Sequence, residues 1–433
     1  MKTYKRILSH ALLFLTLIIV LWSTLILGAM IPNESLQSNF IRSAEVYKEK
    51  EPYTFNSGEK LNSIADNYAD SILLNIAWNM GSGTSPIVST LNTRYYDGEA
   101  LGENIGLYKT VTENAEPNTD YTRYWHGTSG IVRAFHLFTD VNGIRIIGLV
   151  CLLVLVLVTV VTLTDHGHID IAAFLLISLA AVHIWNVRLS MEYQSVFIVT
   201  FLLCPLFLIL ERKSDNYLTL LCVASGTLVA FFDFLTTETI TLLLPLILVI
   251  AVRTKENRLS SLKVTLLLLL KCALCWGAAY IGTFLIKWTA ASVAMGENAF
   301  SLALSSVGER IGGAVDTQVK PTSLFSSIAA NLTVLTGGTE RVDIGRIALV
   351  FIPLALVLFS VWYLLRTKKP NRSASVSLLL LTLPVFARYL ILNNHSYIHE
   401  FFTYRALVSP ILAILLLVWF NIELPGTRKD KRK

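Results

Sequence analysis

Between residues 7 and 30 the chain reads "ILSHALLFLTLIIVLWSTLILGAM", a run without Asp, Glu, Lys or Arg, and runs of this kind recur along most of its length. A helix rises 1.5 Å per residue, so about 20 apolar residues match roughly 30 Å of hydrocarbon. In lipid every backbone N–H and C=O must find its partner within the chain, which restricts spanning segments to helices and closed barrels. The runs are continuous rather than alternating, so they predict helices.

The expected fold is an all-α polytopic membrane protein with about ten transmembrane helices. The spans are placed at 7–30, 143–163, 169–187, 195–210, 217–232, 239–252, 263–286, 344–365, 375–392 and 404–422. The fifth and sixth are short enough to be half-spans or a re-entrant pair. Composition agrees: 54% of the 433 residues are hydrophobic and 15% charged, and a mean hydropathy of +0.58 excludes an ordinary soluble domain.

Lysine and arginine set the expected orientation. "MKTYKR", "ERKSDN", "RTKENRLSSLK", "RTKKPNRS" and "GTRKDKRK" fall on one side when ten spans are threaded alternately. That side holds about 18 basic residues against about 2 in the short loops opposite, so both termini are expected in the cytoplasm. The net charge of +6 follows from this asymmetry. The basic tail is therefore a topology signal touching anionic lipid, not a nucleic-acid site. All five cysteines lie inside spans, where the Cys272-x-x-Cys275 spacing reads as small residues at a helix contact.

The expected organisation is an anchor helix (1–31), a large extracytoplasmic segment (32–141), spans 2–7 (142–287), a second extracytoplasmic segment of short amphipathic helices (288–342), spans 8–10 (343–424) and a basic tail (425–433). The helices of the second segment are expected to lie at the interface or dip into the bundle. Asn331-Leu-Thr333 has the form of a glycosylation sequon, a match short enough to arise by chance.

Aromatic and charged residues crowd the outer face. In "EKLNSIADNYADSILLNIAW" an apolar stripe (Leu61, Ile64, Tyr68, Ile72, Ile76) predicts a helix. Asp66 and Asp70, four apart, would project from one face of it. Such a pair suits a general base or a divalent cation such as Mg or Mn, and equally a solvated polar face. "YTRYWHGTSGIVRAFHLF" brings Arg123, Tyr124, Trp125 and His126 to the membrane surface. Arg133 and His136, one turn apart, could there meet a phosphate. In "AFFDFLTTETITLLLPL", Asp233 is expected to face a cavity while Thr236, Thr237 and Glu238 cap the next helix.

"NNHSYIHEFFTYR" joins spans 9 and 10. His395 and His399 are four apart, and Arg405 enters the last span needing a counter-ion, either a ligand phosphate or an acid such as Glu400. Lys271, near a span centre, must be paired or hydrated because an unpaired charge there costs at least about 2.5 kcal/mol. Lys287 and Arg388 are expected to snorkel to the interface.

"RYWHG" with Arg133, "FFDFLTTE" and "NNHSYIHEFFTYRAL" together resemble a family of multispan membrane proteins found in Gram-positive bacteria, a likeness of location and kind that brings no reaction with it. More loosely, the plan is similar to GT-C-type glycosyltransferases. That resemblance implies a polyprenyl-phosphate-linked sugar donor, a glycan or lipid acceptor and an acidic residue of the first outer loop acting as base or metal ligand. The chain departs from it: no acidic pair lies within a few residues of span 1 and no "WWDYG" motif is present. On this reading Asp66 and Asp70 are the catalytic candidates, and Arg133, His136, Asp233, His395, His399 and Arg405 hold substrate. The rival expectation is a transporter or flippase for a lipid-linked or anionic solute, which Lys271 favours; a non-catalytic envelope scaffold is a third.

Overall fold

The computed structural model describes residues 2–83, 85–296, 298–301, 303–304, 321–348 and 371–421. Of the described residues, 77% are helical. Among the described residues seven helices are long and apolar enough to cross a membrane: Tyr4–Ala29, Val141–Asp165, Met191–Leu210, Asp215–Phe232, Leu262–Met295, Arg372–Ile391 and Glu400–Asn421. Two other expected spans form shorter helices, Ile169–Ala181 and Ile240–Lys255. The span expected at 344–365 and the tail at 425–433 lie largely or wholly outside the described residues.

Burial sorts these helices into rings. Helix α1 (Lys2–Ala29) and the helix Val141–Asp165 bury little of themselves and turn apolar side chains outward. The helix Ile240–Lys255 is the opposite, with every residue from Ile240 to Thr254 buried. A helix that is apolar all round belongs inside a bundle. Flanked by protein rather than lipid, it need not match the bilayer thickness, which explains its 16 residues.

The first long segment folds into a small helical layer: α2 (Asn33–Lys48), α3 (Asn67–Met80), α4 (Pro86–Leu91), α5 (Gly102–Glu113) and α6 (Gly127–Phe135). The bundle continues with α7 (Val141–Asp165), α8 (Ile169–Ala181), α9 (Met191–Leu210), α10 (Asp215–Phe232), α11 (Ile240–Lys255) and α12 (Leu262–Met295). Further on come α13 (Ser326–Leu335), α14 (Arg372–Ile391), α15 (Asn393–Ile398), α16 (Glu400–Thr403) and α17 (Val408–Asn421). Helix α13 dips into the bundle, with Ser327, Asn331 and Thr333 wholly buried. The Asn331 amide donates to the Ser327 and Ser396 carbonyls at 2.7 and 2.8 Å, so the sequon is closed to glycosylation.

Two of the basic loops, at 211–216 and 253–263, meet at one end of the bundle. Glu211, its side chain fully buried, accepts Arg253 Nε at 2.8 Å and Arg258 Nη2 at 2.5 Å. Arg253 also bonds Asp215 at 2.9 Å, His168 reaches Glu256 at 3.0 Å, and Trp419 Nε1 donates to Asp170 at 2.8 Å. Replacing Arg253 by Met should leave the buried Glu211 carboxylate to Arg258 alone and cost about 1.5–3 kcal/mol, the worth of one charged hydrogen bond. Thermal unfolding of the purified protein checks this, with a clear drop in melting temperature expected.

Candidate functional site

At the other, loop-rich end the first segment, the 233–239 turn and the 393–405 connector pack together. The local chemistry begins with a two-stranded hairpin, β1 (Tyr53–Phe55) and β2 (Ile64–Asp66), which pairs Tyr53 with Asp66 and Thr54 with Ala65. The helix predicted from residue 59 starts only at Asn67, because the Asp66 carboxylate accepts the Ala69 N–H at 2.9 Å and caps α3. Asp66 and Asp70 therefore do not share a helix face. Asp66 is 2% exposed. Burial pushes its carboxyl up to about 7, against the opposing pull of the Ala69 N–H and Arg145, with the nearby Asp70 adding to the rise.

Asp70 has another role. Its Oδ1 accepts Ser190 Oγ at 2.7 Å and Met191 N at 2.9 Å, and its Oδ2 accepts Tyr47 OH at 2.9 Å and Arg145 Nε and Nη2 at 2.9 and 2.5 Å. A carboxylate holding five donors is a strong structural anchor. It locks α3 to α7 and to the start of α9. Among the described residues no three His, Cys, Asp or Glu side chains gather as metal ligands. With Asp66 capping a helix and Asp70 taken by Arg145, this pair does not fit a shared divalent cation.

Beside the hairpin lies a groove of about 260 Å³ lined by Lys50, Arg145 and Arg188 together with Asn56, Asn67 and Asn142. Three cations meet here with one carboxylate, Asp70, engaged by one of them. The Lys50 ammonium is held below its ordinary value by partial burial and by Arg145. Ala65 and Asn67, the neighbours of Asp66 in the chain, form part of the wall. Ile146 lies at the rim, 62% exposed, and Val150, Leu153 and Leu157 continue the same outward stripe of α7. The groove thus joins a cationic floor to an apolar helix face.

Across the hairpin stands the connector. Tyr53 packs on Phe401 with ring centroids 5.3 Å apart, and Tyr193 on Phe402 at 5.5 Å. Arg405 is 1% exposed and lies over the rings of Tyr193 and Tyr404 at 4.9 and 5.0 Å. Its Nη1 donates to the Phe401 carbonyl at 3.2 Å, while Nε and Nη2 meet no hydrogen-bond partner among the described residues. Glu400 pairs with Arg341 at 3.4 Å rather than with Arg405. The rings of His395 and His399 are 4.7 Å apart, as their spacing predicts, with His395 Nε2 at 3.0 Å from the Leu235 carbonyl and His399 stacked on Phe402.

The hairpin that carries Asp66 is thus packed on the connector that carries Arg405, but Arg133, His136 and Asp233 are not anion or cavity groups. Arg133, wholly buried, donates from Nε to Gly28 O at 2.8 Å, from Nη1 to Asn33 Oδ1 and Ala77 O at 2.9 and 2.7 Å, and from Nη2 to Ile31 O. It staples the end of α1 to the end of α3. His136 spends both ring nitrogens, on Val132 O at 2.8 Å and Ser43 Oγ at 3.0 Å, and burial pushes it down to about 4, so it stays neutral. Asp233 and Glu238 exchange the expected roles: Asp233 accepts Thr236 N and Oγ1, while Glu238 pairs with Arg388 at 2.7 Å.

Lys287 and Arg388 do not snorkel. Lys287 points inward to the Thr90 and Leu91 carbonyls, both at 2.8 Å. Trp125, also expected at an interface, is wholly buried and donates to the Thr283 carbonyl at 2.8 Å. Lys50, Arg145 and Tyr193 were missed by the sequence reading. Arg145 carried a usable signal, since it sits in the first turn and a half of an apolar span and so requires a counter-charge.

These features define a helical multi-pass membrane protein with a charged pocket region at its loop-rich end. No family model, curated protein or solved structure matches the chain.

Proposed function

We propose that the chain is a membrane-embedded glycosyltransferase that takes sugar from a polyprenyl-phosphate-linked donor at the outer face of the plasma membrane, for assembly of cell-envelope glycan. Both termini would then be cytoplasmic, in keeping with the basic loops. The observation that supports this reading best is the buried Asp66, its chain neighbours Ala65 and Asn67 forming part of the wall of a groove that carries three cations and opens beside a lipid-facing helix. A lipid phosphate meets its counter-charges there while its isoprenoid tail follows α7.

In the reaction, an acceptor hydroxyl oxygen bonds to the anomeric carbon of the donor sugar. The bond from that carbon to the phosphate oxygen breaks, and its electron pair stays on the phosphate. Asp66 takes the hydroxyl proton. Lys50, Arg145 and Arg188 stabilise the charge left on the phosphate. Strand β1 is the part that would move aside, since so small a ribbon is marginal by itself and its Tyr53 and Phe55 are exposed while β2 is buried. Displacing it exposes Asp66 to the groove.

The transporter alternative loses its main support, because Lys271 is exposed on the outer surface of α12 rather than facing the bundle interior. Membranes with and without the chain, supplied with donor lipids radiolabelled in the sugar, separate the readings. Label should move from lipid to acceptor only when the chain is present; label that changes leaflet with its lipid bond intact would instead mark a flippase. Replacing Lys50 and Arg188 together by Gln should raise the apparent KM for donor about 10–100-fold, as loss of two charge-assisted contacts of roughly 1.5–3 kcal/mol each predicts when part is recovered from solvent. An unchanged KM would remove the groove from the donor site.

A further inference from the structure

At the far end of α3, about 20 Å from Asp66 by helix rise, lies a second pocket of about 200 Å³. Its lining mixes neutral hydrogen-bonding groups (Asn79, Ser89, Asn92) and the Arg94 guanidinium with the apolar sides of Met80 and Val88. Among the described residues no carboxylate lines it. Arg94 is already paired with Asp120 at 2.7 Å. The polar walls are fixed in advance: Asn79 Nδ2 donates to Asn75 Oδ1 at 2.8 Å, and Ser89 Oγ to the Ser85 carbonyl at 3.0 Å. By contrast, the Asn92 side chain makes no hydrogen bond within the described protein.

Helix α4, which forms one wall, is only six residues long and would fray by itself. It is held by a buried ammonium: Lys287 bonds the Thr90 and Leu91 carbonyls and lies 5.6 Å from the Trp125 ring. Trp22 Nε1 adds a bond to Thr90 Oγ1 at 2.9 Å. Burying a lysine with no carboxylate partner is costly, yet here it rigidifies a short helix whose outer residues face the pocket.

We propose that this pocket binds one saccharide unit of an uncharged glycan. The volume is below that of drug-sized clefts and suits a single ring. Its lining offers hydroxyl-directed amides beside apolar patches that match the two faces of a sugar, with no net attraction for an ionic headgroup. The site lies apart from Asp66 and the cationic groove, and its occupation does not depend on transfer.

The full chain in lipid nanodiscs, probed by saturation-transfer NMR with methyl glycosides of glucose, galactose, rhamnose and N-acetylglucosamine, tests it. At least one glycoside should show saturation transfer. Val88→Trp, which fills the cavity, should abolish the signal, and Asn92→Ala should weaken binding about 3–10-fold, as expected for one hydrogen bond. Asp66→Asn should leave it unchanged. Absence of any signal, or a signal that survives Val88→Trp in protein of unaltered melting temperature, overturns the proposal. So does a signal lost on Asp66→Asn, which would place the sugar at the other site. Should Val88→Trp fail to fold, Asn92→Ala decides alone: unweakened binding counts against the pocket.

Discussion

Replacing Asp66 by Asn is expected to lower sugar transfer about 10²–10⁴-fold, the usual contribution of a general base, while leaving the protein folded. Asn keeps a side-chain oxygen for the Ala69 N–H and is a good helix N-cap, so α3 should start where it does now. The pH dependence separates a catalytic role from a structural one. Transfer by the wild type needs ionised Asp66 and should rise with pH through about 7 before levelling off.

Stability should move the other way. A carboxyl whose folded value is raised above its unfolded value of about 3.9 favours the folded state fully only at lower pH, and that advantage is lost as pH rises through about 7. The Asn variant has no such group. Its melting temperature should therefore gain on that of the wild type between pH 4 and pH 8. Equal transfer by the two proteins at pH 8 would remove Asp66 from the chemistry.

Replacing Asp70 by Asn should act on the fold instead. The change removes the counter-charge of Arg145 on α7 and weakens the bonds from Ser190, Met191 and Tyr47 that join α3 to α9 and α2. Breaking a buried pair by neutralising one partner costs about 3–5 kcal/mol. A low yield of monodisperse protein and a melting temperature many degrees below the wild type are expected at all pH values. Arg145→Met with Asp70→Leu should recover part of the loss, because removing both charges leaves neither stranded. A stable Asp70→Asn protein would show that the anchor is dispensable.

The sequence shows the membrane architecture more readily than the site. Long continuous apolar runs give spans directly, yet the helix Ile240–Lys255 is short for a reason that only its buried surroundings reveal. Charge pairs are harder to read because partners are remote in the chain: Arg145 and Asp70 are 75 residues apart, and Ser190 is 120 residues from the carboxylate it meets. Arg133 illustrates the converse error. An arginine beside aromatics at a membrane boundary reads as a phosphate site, but four backbone carbonyl oxygens at the ends of α1 and α3, which no pattern predicts, consume its donors. Spacing does place His395 and His399 on one face, since that relation is local.

On the function proposed above, the groove of Lys50, Arg145 and Arg188 grips the phosphate of a lipid carrier. Native mass spectrometry of the purified chain with polyprenyl phosphate and with the matching polyprenol tests it most directly. Adducts should form with the phosphate at concentrations where the polyprenol gives few, should fall away in the Lys50→Gln, Arg188→Gln protein, and should persist in Asp66→Asn. Equal adducts with both lipids, or full phosphate binding without the two cations, would contradict the account.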